Sequence, residues 1–158
     1  MSNFRVVVAA LTLSATAFGG LVMNEGWSDV AEPPVPGDVP TYGFGTTTDE
    51  QGRPLKGGEK INPAKAVVRA LQDIRRYEGA IKTCVKVPLH QYEYDAYVSL
   101  AYNIGSGAFC GSTLVRKLNA QDYSGACSEI LRWDRFNGER LRGLSIRRQA
   151  EYEQCVGG

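Results

Sequence analysis

An α+β architecture is predicted by two features of the 158-residue chain. Between residues 32 and 58 (EPPVPGDVPTYGFGTTTDEQGRPLKGG) prolines and glycines are dense and separate short Val, Thr, Tyr and Phe runs. Tight hairpins require such punctuation and long helices forbid it. From Asn62 onward, apolar residues recur at helical spacing in successive segments with their own start and stop signals. Strand-like and helical segments do not interleave, so a small N-terminal sheet followed by a helical lobe is expected. The length fits one domain with a sizeable core, since domains cluster near roughly 100–150 residues. No internal repeat or low-complexity tail is present.

The elements follow in order. Residues 6–23 (VVVAALTLSATAFGGLVM) carry no charge and are preceded by Arg5, and the run approaches the length that spans a bilayer. Half of it is Ala, Gly, Ser or Thr, which gain little from leaving water, so it reads as an export segment and a poor permanent anchor. Ala15-Thr16-Ala17 offers a signal-peptidase site, the competing reading. Cleavage there would leave only residues 18–24 ahead of Glu25, under two helical turns. If a helix is to hold Glu25, part of the run must supply it, and residues 18–24 are the expected helix. After the hairpin segment, Asn62-Pro63 opens a helix that Val67, Val68, Leu71, Ile74 and Tyr77 mark as amphipathic to about Lys82. Pro88 breaks the chain, and Tyr92, Ala96, Leu100 and Ile104 mark a second helix closed by the glycines at 105 and 107. Ser112 caps a third over residues 113–119, Asp122 a fourth reaching Trp133, and a last helix covers about 145–155.

Charge and cysteines limit the function classes. Lys+Arg 18 against Asp+Glu 17 gives a net charge of +1, so nothing global argues for a nucleic-acid partner. Arg132, Arg135, Arg140, Arg142, Arg147 and Arg148 concentrate positive charge in the last third, either a solvated helix face or an attraction to an anionic polymer such as a cell wall. Cys84, Cys110, Cys127 and Cys155 form no CxxC pair, and His90 is the only histidine, so no metal site is expected. With an export segment they suggest two disulfides, for which three pairings are open; four reduced thiols in a cytosolic protein are the alternative.

Glu25 draws attention because it ends an apolar stretch beside Gly26 and Trp27, where desolvation would favour the protonated carboxyl that a general acid needs. Asn24-Glu25-Gly26 followed by GDVPTYGFGTT at 37–47 resembles the Glu-Gly, then Thr-x-Gly-x-Gly signature of phage-type lysozymes. LAYNIGSGAF (100–109), STLVRKLN (112–119), DYSGACSEILRW (122–133) and GLSIRRQAE (143–151) are similar, in the same order, to that family's helical lobe. The resemblance covers the chain after about residue 20.

The resemblance implies a lysozyme-like fold, with a cleft between sheet and helical lobes that grips a peptidoglycan glycan strand. It implies hydrolysis of the β-1,4 bond between N-acetylmuramic acid and N-acetylglucosamine without a cofactor or metal. Glu25 matches the general acid and Thr41 the sheet threonine that positions water. The family's second carboxylate falls near Pro34 or Val35 here, so Asp38 is assigned to that role as the nearest carboxylate, ahead of Asp29 and Glu32. The competing reading of Asp38 is a residue that only shapes a turn. Tyr102 and Asn103 match an aromatic-polar pair on the cleft floor. Arg147 or Arg148 matches an arginine near the acid, holding a carboxylate network or meeting muramyl lactyl or peptide carboxylates. Trp133 is expected in the core. The closest subgroup is the signal-arrest-release endolysins. Residues 1–23 then form the export or anchor segment and 24–158 the catalytic domain, a monomer tethered to the inner membrane before release into the periplasm. No cysteine lies in the segment, so a thiol switch within it is excluded. Predicted helix adjacency favours Cys84 with Cys110 and Cys127 with Cys155. Alternatives are a lytic transglycosylase leaving anhydro-muramic ends, a non-catalytic wall-binding module, or a membrane-anchored structural protein.

Overall fold

A computed structural model describes residues 4–157. The chain divides into two compact units, one of residues 18–75 and one joining the N-terminal segment up to Ala17 with everything from Arg76 onward.

Helix α1 covers Ala15–Glu25, longer than residues 18–24, because the Ser14 hydroxyl accepts the Ala17 N–H at 3.1 Å and caps it. In the smaller unit, β1 (Ser28–Glu32) and β2 (Thr41–Gly43) are antiparallel, Ser28 opposite Gly43 and Glu32 opposite Thr41, with a register slip between. Residues 58–61 extend this ribbon: Ala31 N–H donates to the Glu59 carbonyl at 2.7 Å and Ile61 N–H to that of Asp29 at 2.9 Å. The ribbon buries Ala31 and Tyr42 with Leu55, Ile61 and Ala66, with Phe44 against their edge.

Helix α2 spans Pro63–Cys84, and the Asn62 side chain accepts the Lys65 N–H at 2.9 Å, the expected start. Its inward face differs from the expected one. Ala66, Ala70, Ile74 and Ile81 are buried, whereas Val67, Val68 and Leu71 are exposed. Small alanines let neighbouring backbone come close, and that packing outweighs the greater hydropathy of the valines.

The larger unit is helical: α3 (Gln91–Ile104), α4 (Ser106–Cys110), α5 (Thr113–Asn119), α6 (Tyr123–Glu129) and α7 (Arg142–Cys155). Helix α3 packs on α7 and α5 on α6, enclosing Tyr94, Tyr97, Leu100, Phe109, Leu114, Leu118 and Ile130. Ser112 and Asp122 cap α5 and α6 through side-chain acceptors, as expected. Gly105, at φ +92°, closes α3 as expected, its N–H on the Ala101 carbonyl at 2.8 Å. Three details differ. A short helix, α4, restarts at Ser106. The segment expected to be helical up to Trp133 ends at Glu129, followed by a 3-10 turn (Ile130–Arg132). A hairpin of β3 (Arg135–Phe136) and β4 (Glu139–Arg140) then leads into α7, which starts at Arg142 rather than about 145. Trp133 is half-buried.

Disulfides join Cys84 to Cys110 and Cys127 to Cys155, each with Cα atoms 5.7 Å apart. The second closes a loop of sequence separation 28, for which the chain-entropy model gives about 3–4 kcal/mol. Cys127→Ala/Cys155→Ala is accordingly expected to lose that stability in urea denaturation. An unchanged midpoint and slope would contradict it.

Before α1, residues 6–14 form no continuous helix. Val6 bridges Leu89, and a 3-10 turn occupies Val8–Ala10. Among the described residues no helix is long and apolar enough to cross a membrane.

Candidate active site

Glu25 is the last residue of α1 and is half-buried. Its surroundings in the smaller unit come from the hairpin that follows Thr41. Tyr42 and Thr46 exchange both backbone hydrogen bonds at 3.1 Å, closing Gly43-Phe44-Gly45 into a tight loop. Gly43 and Gly45 adopt φ +61° and +85°, conformations that L side chains resist, which is the physical reason for the Thr-x-Gly-x-Gly pattern. Space adds a second reason. A Cβ on Gly43 would stand 3.0 Å from the Ala66 Cβ, and one on Gly45 would stand 3.5 Å from Glu25 Oε2. The carboxylate therefore lies against the bare backbone of the hairpin tip. Trp27 and Phe44 meet beside it, ring centroids 5.3 Å apart at 57°.

Side-chain bonds fix this hairpin to α2. The buried Thr46 hydroxyl donates to Asp73 Oδ2 at 3.0 Å, and Arg69 Nη2 donates to Thr48 Oγ1 at 2.8 Å. Neither Thr46 nor Asp73 was singled out in the sequence; a threonine one residue after the glycine pair was the available signal. Gly45→Ala is expected to cost about 1 kcal/mol or more through its φ, while pushing a methyl toward the Glu25 carboxylate. Peptidoglycan hydrolysis should fall further than the melting temperature does. An alanine variant with full activity would remove the hairpin from the site.

Thr41, at the start of β2, is half-buried and pairs with Glu32. Asp38 is exposed, and its Oδ1 accepts the Val39 N–H at 2.8 Å. The same loop closes with Asp38 N–H on the Val35 carbonyl at 3.1 Å, so Asp38 does shape the turn.

The remaining expected site residues lie in the larger unit. Tyr102 meets Tyr77 at 5.1 Å between ring centroids. Asn103 Oδ1 accepts from Arg148 Nη2, and Arg148 Nη1 donates to Glu151 Oε2. Arg148 Nε adds a bond to the Trp133 carbonyl at 3.0 Å. Arg147 Nε reaches Glu151 Oε1 at 3.2 Å, an oxygen that also accepts from Ser99 at 2.7 Å. Arg148 has no exposed surface, so of the two roles weighed for the arginines it takes the carboxylate network rather than a direct meeting with substrate carboxylates. Glu151, only 4% exposed, organises both arginines. The sequence signal for it is its spacing of three and four residues from the arginines, a helical ion-pair pattern. The positive cluster is correspondingly reduced: Arg132 pairs with Glu129 and Arg140 with Asp134, while Arg135 and Arg142 are exposed.

Residues 23–151 match the phage lysozyme family. An endolysin of Acyrthosiphon pisum secondary endosymbiont phage 1 is 44% identical over 115 residues, spanning 70% of this chain and 75% of that protein. A SAR-endolysin of Bacteriophage PS34 is 30% identical over 159 residues, spanning 96% and 93%. Among solved structures, an endolysin from Escherichia coli O157:H7 phage FAHEc1 superposes with a TM-score of 0.82 at 30% identity, over 97% of this chain and 96% of that one. Fold and comparisons together define a glycoside hydrolase of the lysozyme class. Within that class the chain belongs to the phage lysozyme family, and it is a peptidoglycan-lysing endolysin of the SAR type.

Proposed function

We propose that the protein hydrolyses the β-1,4 bond between N-acetylmuramic acid and N-acetylglucosamine, with Glu25 protonating the leaving oxygen. The observation that carries this is the Glu25 carboxylate against Gly45, on the hairpin that begins with Thr41. Hydrolysis needs an acid on one side of the glycosidic bond and an activated water or a nucleophile on the other. Thr41 and Asp38 supply the water-positioning side. A carboxylate has about four lone-pair positions, so the single bond from Val39 N–H leaves Asp38 capacity to orient a water. Tyr102 and Asn103 contact the glycan strand, Arg148 and Glu151 hold Asn103 in place, and Arg147 steadies that carboxylate.

Purified peptidoglycan tests the assignment of the water side. Thr41→Ala and Asp38→Asn are each expected to slow digestion by about 10²-fold, with melting temperatures near wild type. Full activity in Asp38→Asn would return Asp38 to its turn role and favour chemistry that needs Glu25 without a positioned water.

The uncharged run at residues 6–23 and the SAR-endolysin relatives support a second part of the proposal. The chain enters the host inner membrane by this segment and acts in the periplasm, as a monomer, once the segment has left the bilayer intact. N-terminal sequencing of periplasmic protein is expected to begin at or near Met1, whereas a start at Phe18 would mean cleavage.

A further inference from the structure

Residues 5–14, the first half of that run with the arginine ahead of it, are held by the helical unit in an unusual way. Three acidic side chains there are almost wholly buried: Glu78 of α2 is 8% exposed, and Glu93 and Asp95 of α3 are 2% and 4%. Each finds a partner in the N-terminal segment. Arg5 donates to both oxygens of Glu93, at 2.8 and 3.1 Å, with its guanidinium 3.6 Å above the Tyr123 ring. Leu13 N–H donates to Glu78 Oε1 at 2.7 Å, and Ser14 N–H to Asp95 Oδ1 at 3.0 Å. Gln91 adds a bond to the Thr12 carbonyl at 2.8 Å, Val6 exchanges backbone bonds with Leu89, and Val8 and Leu11 are buried.

Buried carboxylates without partners are costly, and bonds to a charged acceptor are stronger than neutral ones. Each acid also accepts a bond within the helical unit, Glu78 from the Tyr94 hydroxyl at 2.8 Å, Asp95 from Gln91 Nε2 at 2.9 Å and Glu93 from the His90 N–H at 2.8 Å. The arm's guanidinium and two main-chain N–H groups supply the further charge-assisted bonds. Leu13 and Ser14 supply N–H groups just ahead of α1, the end of a helix where negative charge is stabilising. A bilayer-spanning helix needs about 20 apolar residues, which would draw residues 6–14 out of this groove. Docked, the same residues form a bridge and a 3-10 turn. The two placements exclude each other.

We infer that Glu78, Glu93 and Asp95 form an acceptor groove for the N-terminal arm that competes with the bilayer for it, so that the strength of the groove sets the released fraction. The inference rests on the membrane reading proposed above. The arm's ligand chemistry is specific: an extended apolar segment led by a cation and ending in two free N–H groups at a helix start.

The test uses purified full-length protein mixed with phosphatidylethanolamine–phosphatidylglycerol vesicles, with hydrogen exchange followed on the same samples. Glu78→Gln/Asp95→Asn is expected to raise the ratio of vesicle-bound to free protein by about tenfold. Amides of residues 6–14 should exchange faster by a similar factor, while those of α3 from Tyr94 to Ala101 keep their protection. Arg5→Gln weakens the groove from the arm side with all three acids left in place, and is expected to change both readouts in the same direction. Unchanged arm exchange in both variants would overturn the groove alone. Faster exchange with no vesicle binding by any variant would overturn the competition together with the membrane reading.

Discussion

Glu25→Gln is expected to lower peptidoglycan hydrolysis by about 10²–10⁴-fold, the contribution of a positioned general acid, while the protein stays folded. The amide has nearly the shape of the carboxyl, so the contact with Gly45 at the hairpin tip survives. What disappears is the proton delivered to the leaving oxygen. A half-buried position at the end of α1 carries little of the core, so the melting temperature should move little. Turbidity loss on permeabilised Gram-negative cells, beside a thermal melt, separates the two effects. A folded variant that clears cells as fast as wild type would show that the acid lies elsewhere.

Arg148→Met is the substitution expected to cost most in stability, about 3–5 kcal/mol, as for removal of one partner from a buried ion pair. The side chain is fully buried and donates to Glu151, Asn103 and the Trp133 carbonyl. Without it Glu151 remains buried with Arg147 and Ser99 on its other oxygen, and Asn103 loses its anchor. Replacing the acid as well, in Arg148→Met/Glu151→Leu, removes the stranded charge and is expected to recover much of the loss. Urea denaturation of the wild type, both single variants and the double variant measures the coupling. Additive effects would contradict a shared network.

Much of this architecture is legible in local sequence because its causes are local. Asn62-Pro63, Ser112 and Asp122 announce helix starts through bonds to N–H groups three residues on. The glycines at 43 and 45 announce a hairpin because few other residues take those φ angles at low cost. What local sequence does not carry has non-local causes. Val67, Val68 and Leu71 advertise a buried face, yet the partners packed against Ala66 and Ala70 decide which side turns inward. Composition places Arg147 and Arg148 in a surface patch and the resemblance offers a carboxylate network, and the choice depends on Glu151 and on the packing that buries it. The N-terminal arm reads as a membrane segment from composition, and its folded partners Glu78, Asp95 and Glu93 lie 65, 81 and 88 residues away from it. The proposed site rests in the sequence on Glu25 and Thr41, which match a motif, and less firmly on Asp38, which the spacing of that motif does not reach.

Acid-assisted hydrolysis of the muramyl bond at Glu25 leaves its signature in the sugars released from purified peptidoglycan, read by mass spectrometry with wild-type protein and Glu25→Gln in parallel. Reducing muramic acid ends are expected from the wild type, and almost none from the variant. Anhydro-muramic ends from the wild type, or reducing ends undiminished in Glu25→Gln, would overturn this chemistry.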